Sequence, residues 1–526
     1  MTTQRSPRGL ASHSLTAILA SAGLAALTCG ASTASAQFPS SQNRANADAV
    51  YNGFISAYLQ TTNVNGHTYP LPYICNSLTD RNLAFMWQQA YMISGLEDAY
   101  AENYSASRLS LITSLLDGFN TQNGTSLTWD SWNDDIEWAD IALAHGYEQT
   151  GKTAYLNAAI ESWNNVWNRG WSTDLGGGIW ENQNKGSKCV LSNAPFVIAG
   201  CILYQATGDS AYLTKCQQSY SWMRSKCFNT STGQVIEGLS SSGAALTSNN
   251  SYNHGIFLQA ANALYQVTGT AQYFNDAQLT VNWVVNNHTI MTEDHPNNGP
   301  FGSEEFFRGL SIFAVQNDLW ATYCPWLEAN CTAAWNNRRT DYNITWNKYT
   351  TATPTTNLLA MEMISSVIVQ AVTQIGGGLD DGGLYEFESL AAPGKSLNVY
   401  GAGTAAGTKV IIWTDNGDSN ARWTAHVQAD GHFELAPSNA TAMHLNVDLS
   451  NGGGGSGSAV QIYNSNNENS HWFPELESDG NYEIIPQSNT GLRLNVAGSV
   501  NANGTNVTVS TNNGTQAQRW KLIRKN

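Results

Sequence analysis

Apolar residues recur at helical spacing across most of the first 375 positions, and a short refrain punctuates them. Tyr91 to Gly95, Tyr147 to Gly151, Tyr204 to Gly208 and Tyr265 to Gly269 each read Tyr-x-x-x-Gly. The glycines recur after 56, 57 and 61 residues. The last three are followed by Tyr155-Leu156, Tyr212-Leu213 and Tyr273-Phe274. Each glycine is expected where a helix stops, in the left-handed position that closes a C-terminus. Helical spacing on both sides predicts a helix hairpin of about 55–60 residues per unit. About six such units fill residues 40–375. Helix pairs stack as an open solenoid or close into a ring. The connecting loops are long, rich in Trp and Gly, and carry acids, as in Asp174-Leu-Gly-Gly-Gly-Ile-Trp180. That favours a closed α/α toroid with a groove built from loops at one end, with a solenoid as the alternative.

A different rhythm follows the Gly-rich stretch 376–383. Leu397-Asn-Val399, Leu445-Asn-Val447 and Leu494-Asn-Val496 are spaced by 48 and 49 residues. Each Asn is followed 25 or 26 residues later by Trp423, Trp472 or Trp520. Short alternating runs such as Lys409–Trp413 and Val460–Tyr463 read as strands. Three all-β copies of one unit predict a β-trefoil. The expected organisation is therefore multidomain: a leader at 1–36, an all-α toroid at 37–378, a linker at 379–383 and a β-trefoil at 384–526.

The leader reads as a signal peptide. Arg5 and Arg8 precede the apolar run Leu15–Leu27, and Ala34-Ser35-Ala36 is a small-residue cleavage site, so the mature chain is expected to begin at Gln37. The run is short for a membrane anchor, no other stretch is read as a span, and no hydrophobic tail suggests a lipid anchor. Without the leader, 22 basic residues face 40 acidic ones. Nucleic acid and anionic lipid are poor partners for such a chain, whereas a neutral polysaccharide is not repelled. Seven cysteines remain after Cys29 leaves, none at zinc spacing, so no metal or cofactor is expected. In an exported protein they suggest disulfides, with Cys216–Cys227 and Cys324–Cys331 as pairs close in sequence. Eleven N-x-[S/T] sequons, including Asn103, Asn229, Asn343 and Asn506, fit a glycosylated eukaryotic product. A monomer is expected.

The candidate chemistry lies in Trp129-Asp-Ser-Trp-Asn-Asp-Asp-Ile-Glu-Trp138. Asp134 and Asp135 are adjacent carboxylates among Trp129, Trp132 and Trp138, with Asp130 close by. Seven tryptophans fall between 129 and 180. Glycoside hydrolysis needs two acids, one at the anomeric carbon and one to protonate the leaving oxygen, and aromatic rings are what sugars stack on. Neighbours in mid-helix point about 100° apart and rarely share a site. Asn133, however, is a good N-cap ahead of the apolar pattern Ile136, Ala139, Ile141 and Leu143, which puts both acids in a first turn where they reach a groove. Mutual repulsion and an indole raise one acid while the helix N-terminus keeps the other ionised. The plainer alternative is that Asn-Asp-Asp only caps a helix. Glu304-Glu305 is a second acid pair, equally readable as a helix start, and His145 reads as an ordinary helical residue.

These motifs carry two resemblances. Residues 45–375 resemble glycoside hydrolase family 76, endo-α-1,6-mannanases with an (α/α)6 barrel, through Trp132-Asn-Asp-Asp135 with Trp138, the Gly-Gly-Gly-Ile-Trp180 loop, Asn193-Ala-Pro195, Tyr252-Asn-His-Gly255 and Phe307-Arg-Gly-Leu310. The resemblance implies retention, with Asp134 as nucleophile and Asp135 as general acid/base, and an α-mannan substrate. Asn133 stands where many bacterial members have a second Trp. Trp129, Asp130, Trp132, Asn133, Trp138, Asp174, Trp180, Asn193, Tyr252, His254 and Arg308 are the candidate substrate contacts. The C-terminal part resembles ricin B-type lectin modules, with Ala421-Arg-Trp423, Ser470-His-Trp472 and Gln518-Arg-Trp520 as degenerate Q-x-W elements. That implies sugar pockets at Asn398, Trp413 and Asn416, at Asn446 and Tyr463, and at Asn495 and Asn513, where Ser510 replaces the stacking aromatic. The family's acid is Asn in all three copies. Three other readings remain open: a wall transglycosylase of the same family, a non-catalytic sugar-binding protein, and an inverting enzyme pairing Asp135 with Glu305.

Overall fold

The computed structural model describes residues 41–526 apart from 65, 103–105, 293–301, 318, 374–378, 380–381, 429–431, 451–452, 478–480 and 526. The signal peptide, the sequon at Asn103 and most of the Gly-rich boundary lie outside the described residues.

Twelve helices are described between residues 41 and 372: α1 Ser41–Tyr58, α2 Met86–Glu102, α3 Ala106–Asn123, α4 Asn133–Thr150, α5 Thr153–Gly170, α6 Ala194–Thr207, α7 Ser210–Lys226, α8 Ser251–Thr268, α9 Ala271–Asn287, α10 Glu304–Gln316, α11 Trp320–Asn336 and α12 Ala360–Val372. The even-numbered helices pack each against the next, and α12 returns to α2, so they close an inner ring. The odd-numbered helices pack outside their neighbours. Inner helices are buried almost all round; α6 is buried from Ala194 through Leu203. The stretch Val190–Thr207 has the length and hydropathy of a membrane span, contrary to the sequence reading, but 72% of it is buried inside the protein. It is apolar because it faces helices on every side.

Alternation of inner and outer helices makes all six inner helices run the same way. Their N-termini therefore share one rim, and the turns from inner to outer helix are short, as at Gly151-Lys152 and Gly208-Asp209. Gly151, Gly208 and Gly269 close α4, α6 and α8 with φ of 68°, 71° and 66°, and each N–H donates to the carbonyl of the refrain tyrosine. Gly95 does not: it lies inside α2, where a Cβ would come within 2.6 Å of Ile364 on α12. There the glycine permits close helix packing and ends nothing.

The cysteine pairs are also corrected. All seven are buried free thiols. Cys324 and Cys331 both lie on α11, two turns or about 10 Å apart, beyond disulfide reach. Cys216 is on α7 and Cys227 closes it, so they are about 16 Å apart along the axis.

A second hydrophobic core begins at Leu379, which the sequence reading assigned to a linker. Gly382 and Gly383 exchange backbone hydrogen bonds with Ala425. The strands are β1 Leu384–Ser389, β2 Lys395–Val399, β3 Thr408–Thr414, β4 Trp423–Val427, β5 Phe433–Pro437, β6 His444–Val447, β7 Val460–Tyr463, β8 Trp472–Leu476, β9 Tyr482–Pro486, β10 Leu492–Val496, β11 Val507–Thr511 and β12 Trp520–Lys525. β1, β4, β5, β8, β9 and β12 pair in a circle, giving a closed six-stranded barrel. β2–β3, β6–β7 and β10–β11 form three hairpins, one per repeat. This is a β-trefoil. Its symmetry is visible in single bonds: the indole N–H of Trp423, Trp472 and Trp520 donates to Leu397, Leu445 and Leu494 O at 3.0, 2.8 and 3.0 Å. Each repeat's tryptophan thus ties the last strand to the refrain leucine of the same hairpin.

Trp472→Phe keeps most of the ring but leaves the buried Leu445 carbonyl without its donor. The trefoil is expected to lose about 1–3 kcal/mol, measured as a lower denaturant midpoint with unchanged slope.

Candidate active site

The inner-helix rim gathers the candidate residues. Asp134 and Asp135 occupy the first turn of α4 and both remain half-buried, reaching the surface. The N-cap is Trp132, with extended backbone, and not Asn133. Asn133 is fully buried, and its side chain is used sideways: Nδ2 donates to Trp180 O at 2.6 Å, and Oδ1 accepts from Arg169 Nε at 2.6 Å. Arg169, at the end of α5, also donates to Asp130 O at 2.7 Å and Trp132 O at 3.3 Å. The Asn133 N–H donates to Glu181 O at 2.7 Å, and Trp132 bridges to Asn182. The turn carrying the acids is thereby clamped to the Gly-rich loop opposite.

The charge of two further carboxyl groups, Asp130 and Glu181, reaches the pair. Burial first, then Asp135 and Glu181, push the Asp134 carboxyl well above the usual carboxylate range, opposed by the backbone N–H groups of Asp134 and Asp135. Burial, Asp130 and Glu181 push Asp135 up to about 8. Asp130 is itself raised, chiefly by burial, although it accepts from the Trp132 N–H at 2.9 Å. Asp134 Oδ1 is buried with no hydrogen-bond partner among the described residues. Both carboxyls are thus pushed toward the protonated form, and the helix N–H groups favour charge on Asp134. Glu137, one turn deeper, is raised by burial and by Asp134.

Aromatic rings line this rim. Trp129 is 55% and Trp132 44% exposed, unusual for indoles in the toroid. Phe85, just before α2, is 50% exposed and stands edge-on to Trp129, with centroids 6.5 Å apart. Trp180 is buried, and its indole N–H donates to Ser172 Oγ at 2.9 Å. Asp174 is exposed in its loop and accepts from Ser172 Oγ. Tyr252, at the start of α8, is buried, with its hydroxyl raised by burial and by Glu237.

Other candidates belong to the framework, with polar atoms already committed. Asn193 is fully buried: Nδ2 donates to Ile179 and Cys189 O, and Oδ1 accepts from Ile179 N and Ser219 Oγ. His254 is fully buried, stacked on Trp283; Nε2 accepts from Val235 N at 3.0 Å, and burial lowers its pKa to about 4. Arg308 is buried against Asp98 and Glu305, and Trp138 lies in the core edge-on to Tyr91. Glu304 and Glu305 are likewise buried, Glu304 accepting from Tyr91 and Glu305 from Arg308 and Gln259. The sequence reading missed Arg169, Glu181, Glu237 and Phe85. Glu181 directly follows the Gly-Gly-Gly-Ile-Trp motif and was within reach; the others stand outside any motif.

In the trefoil, Trp413 and Tyr463 are 40% and 44% exposed, on β3 and β7. Asn398 and Asn446 are buried, accepting from Asn420 and Gln461. Asn416 is exposed and bonds Asp418. Asn495 donates to Thr508, Asn513 accepts from Thr515, and the third hairpin presents Ser510 where the other two present rings.

The family model described as glycosyl hydrolase family 76 matches residues 42–375, and the chain belongs to that family. The model for ricin-type β-trefoil lectin domain-like sequences matches residues 374–463 and 438–508. No curated protein sequence matches. Among solved structures, the chain is similar to an inactive variant of the α-1,6-mannanase GH76A of Salegentibacter sp. HEL1_6, in which two consecutive aspartates are alanine, in complex with α-1,6-mannotetrose: 22% identity, 63% of this chain and 99% of that chain covered, TM-score 0.56. The Lin0763 protein from Listeria innocua matches at 21% identity, covering 63% of this chain and 96% of that chain, TM-score 0.55. Bt3792 from Bacteroides thetaiotaomicron, a glycoside hydrolase family 76 mannosidase, matches at 18% identity over 63% and 98%, TM-score 0.53.

The raised acids have a cost that pH reveals. Asp135 in the folded protein keeps its proton up to about 8, while the unfolded chain loses it near 4. The folded state therefore binds more protons between these values, and stability falls as pH rises through them. Asp135→Asn cannot ionise, so its Tm is expected to exceed that of the wild type increasingly from about pH 4 to about pH 8. Parallel Tm curves for the two proteins would count against the burial of this carboxyl.

Proposed function

We propose that this member of glycosyl hydrolase family 76 is an exported, retaining endo-α-1,6-mannanase that a lectin-like module holds on its polysaccharide. The observation that carries this reading is the adjacent pair Asp134–Asp135 in the first turn of α4, both raised by burial and standing beside exposed indoles. Support comes from a similar protein that is inactive with two consecutive aspartates replaced and is bound to an α-1,6-mannose oligosaccharide. The signal-like leader supports export.

The chemistry follows from charge placement. The Asp134 carboxylate attacks the anomeric carbon of a mannosyl unit stacked on the rim indoles. Asp135 passes its proton to the glycosidic oxygen, the C–O bond breaks, and the shortened chain leaves. The Asp135 carboxylate then takes a proton from water, whose oxygen displaces Asp134 from the sugar. Two inversions restore the original anomer. Burial, with the charge of Asp130 and Glu181, holds the proton that Asp135 has taken from the water.

Incubating the full chain with linear α-1,6-mannan is expected to yield shorter oligosaccharides whose first-formed anomer is α. Asp134→Asn and Asp135→Asn are each expected to lose on the order of 10³-fold in kcat or more, without loss of Tm. Longer products would assign transfer to the site, a β first product would assign inversion, and near-normal turnover by either variant would remove the pair from the mechanism.

Trp413→Ala combined with Tyr463→Ala is expected to weaken binding to insoluble mannan about tenfold and leave kcat on soluble oligosaccharides unchanged. Pull-down isotherms check it; unaltered retention would make the trefoil a spacer.

A further inference from the structure

The Gly-rich loop that carries Trp180 has a costly backbone. Gly176, Gly177 and Gly178 all have positive φ, at 87°, 117° and 82°, and Leu175 before them sits at 57°. A leucine in the left-handed region is strained and persists only where its surroundings over-determine it. At Gly178 a Cβ would also lie within 2.5 Å of the Trp222 ring. Sterics explain why residue 178 is glycine; they do not explain why the chain winds this way.

What the winding encloses is one ammonium group. Lys188, on the strand Ser187–Cys189, is fully buried. Its Nζ donates to Ser172 O at 3.1 Å, Ser172 Oγ at 3.0 Å, Asp174 O at 2.9 Å, Gly177 O at 2.6 Å and Gly178 O at 2.8 Å. Five oxygens thus converge on one nitrogen, four of them main-chain carbonyls. The arrangement resembles a carbonyl cage around an alkali cation, with the lysine as a tethered guest. No carboxylate accepts from it among the described residues. Burying a cation with no carboxylate in hydrogen-bond contact is expensive, and burial lowers the Lys188 pKa to about 8 against the opposing charge of Asp174. Such a residue is out of place as mere filling, because an apolar side chain fills the same volume at no such cost.

The cage reaches the acid pair in two short steps. Ser172 Oγ is shared between the Lys188 ammonium and the Trp180 indole N–H, and that ammonium stands 4.7 Å from the Trp180 ring centre. Trp180 O and Glu181 O then receive the two donors of Asn133, the residue before Asp134. We infer that Lys188 is a positioning residue: its ammonium is the template on which residues 172–178 are wound, and through that loop it holds Trp180 and Glu181 against the paired aspartates. Its consequence for turnover rests on the function proposed above; its consequence for the loop does not.

The test is hydrogen exchange on the full chain, read by mass spectrometry. Lys188→Met keeps the length and removes every donor. Amides of residues 172–180 are expected to exchange at least about tenfold faster than in the wild type, with those of α4 beyond residue 138 unchanged. Loop exchange within about twofold of the wild type would overturn the inference. If the variant does not fold, the protein carrying Asp134→Asn and Asp135→Asn decides, because there the acid pair cannot titrate and Asp174 and Lys185 are the charges that act on Lys188. Corrected for intrinsic rates, its loop protection is expected to fall about tenfold between about pH 7 and about pH 9, as the ammonium loses a proton, while α4 holds. Flat loop protection overturns the inference. On α-1,6-mannan the same variant is expected to raise KM about tenfold and change kcat less than about threefold. A wild type without activity on that substrate would remove the functional reading and leave the exchange result to judge Lys188 by itself.

Discussion

Closing six helices into a ring is the constraint from which the rest follows. Each inner helix meets helices on nearly every side, so it must be apolar round its whole circumference, as α6 and α12 are. The acids that do lie on inner helices are pushed toward the neutral form. Burial raises Glu97 to about 8 and Glu304 to about 7, and it raises Glu137 and Asp140 as well. Ionised chemistry can survive only where the ring opens. Because inner helices all run the same way, one rim collects six helix N-termini and the long connections. Asp134 and Asp135 stand there, one turn from a barrel interior that would keep them inert.

The site is therefore assembled by clamps between loops and not by the helix alone. Arg169 holds the turn before α4, and Asn133 joins that turn to Trp180 and Glu181. The same contacts that fix the acids bring further negative charge toward them, from Asp130 and Glu181. Positional order is gained together with electrostatic strain, which adds to burial in pushing both acids toward their protonated form.

The trefoil shows the opposite economy, in which one scaffold is kept and its chemistry varies. Three related positions hold buried glutamates, Glu386, Glu434 and Glu483. Arg422 and Lys525 face the first, Arg493 and Arg519 the third, but His444 and His471 the second. The three indole-to-leucine bonds are unchanged throughout. Exposed rings remain on two hairpins, and Ser510 stands on the third.

Helix and strand content was legible because burial imposes its period on a chain: three left-handed glycines after helical runs, three Leu-Asn-Val triplets at trefoil spacing, and two acids among indoles. What eluded the linear reading were properties set by neighbours distant in the chain. Gly95 looks like the other three glycines until α12 is seen packed on it. Cys216 and Cys227 look like a pair until the helix between them is drawn. Asn193, His254 and Arg308 look like hands for a sugar until their hydrogen bonds are counted. Lys188 looks like a surface lysine until four carbonyls close around it. Periodicity and motif are written along one dimension, and so the sequence by itself determined the elements, the two repeats and the acid pair. Whether a polar atom meets solvent, a ligand or another residue depends on what folds over it from far away, and only the tertiary structure decided that.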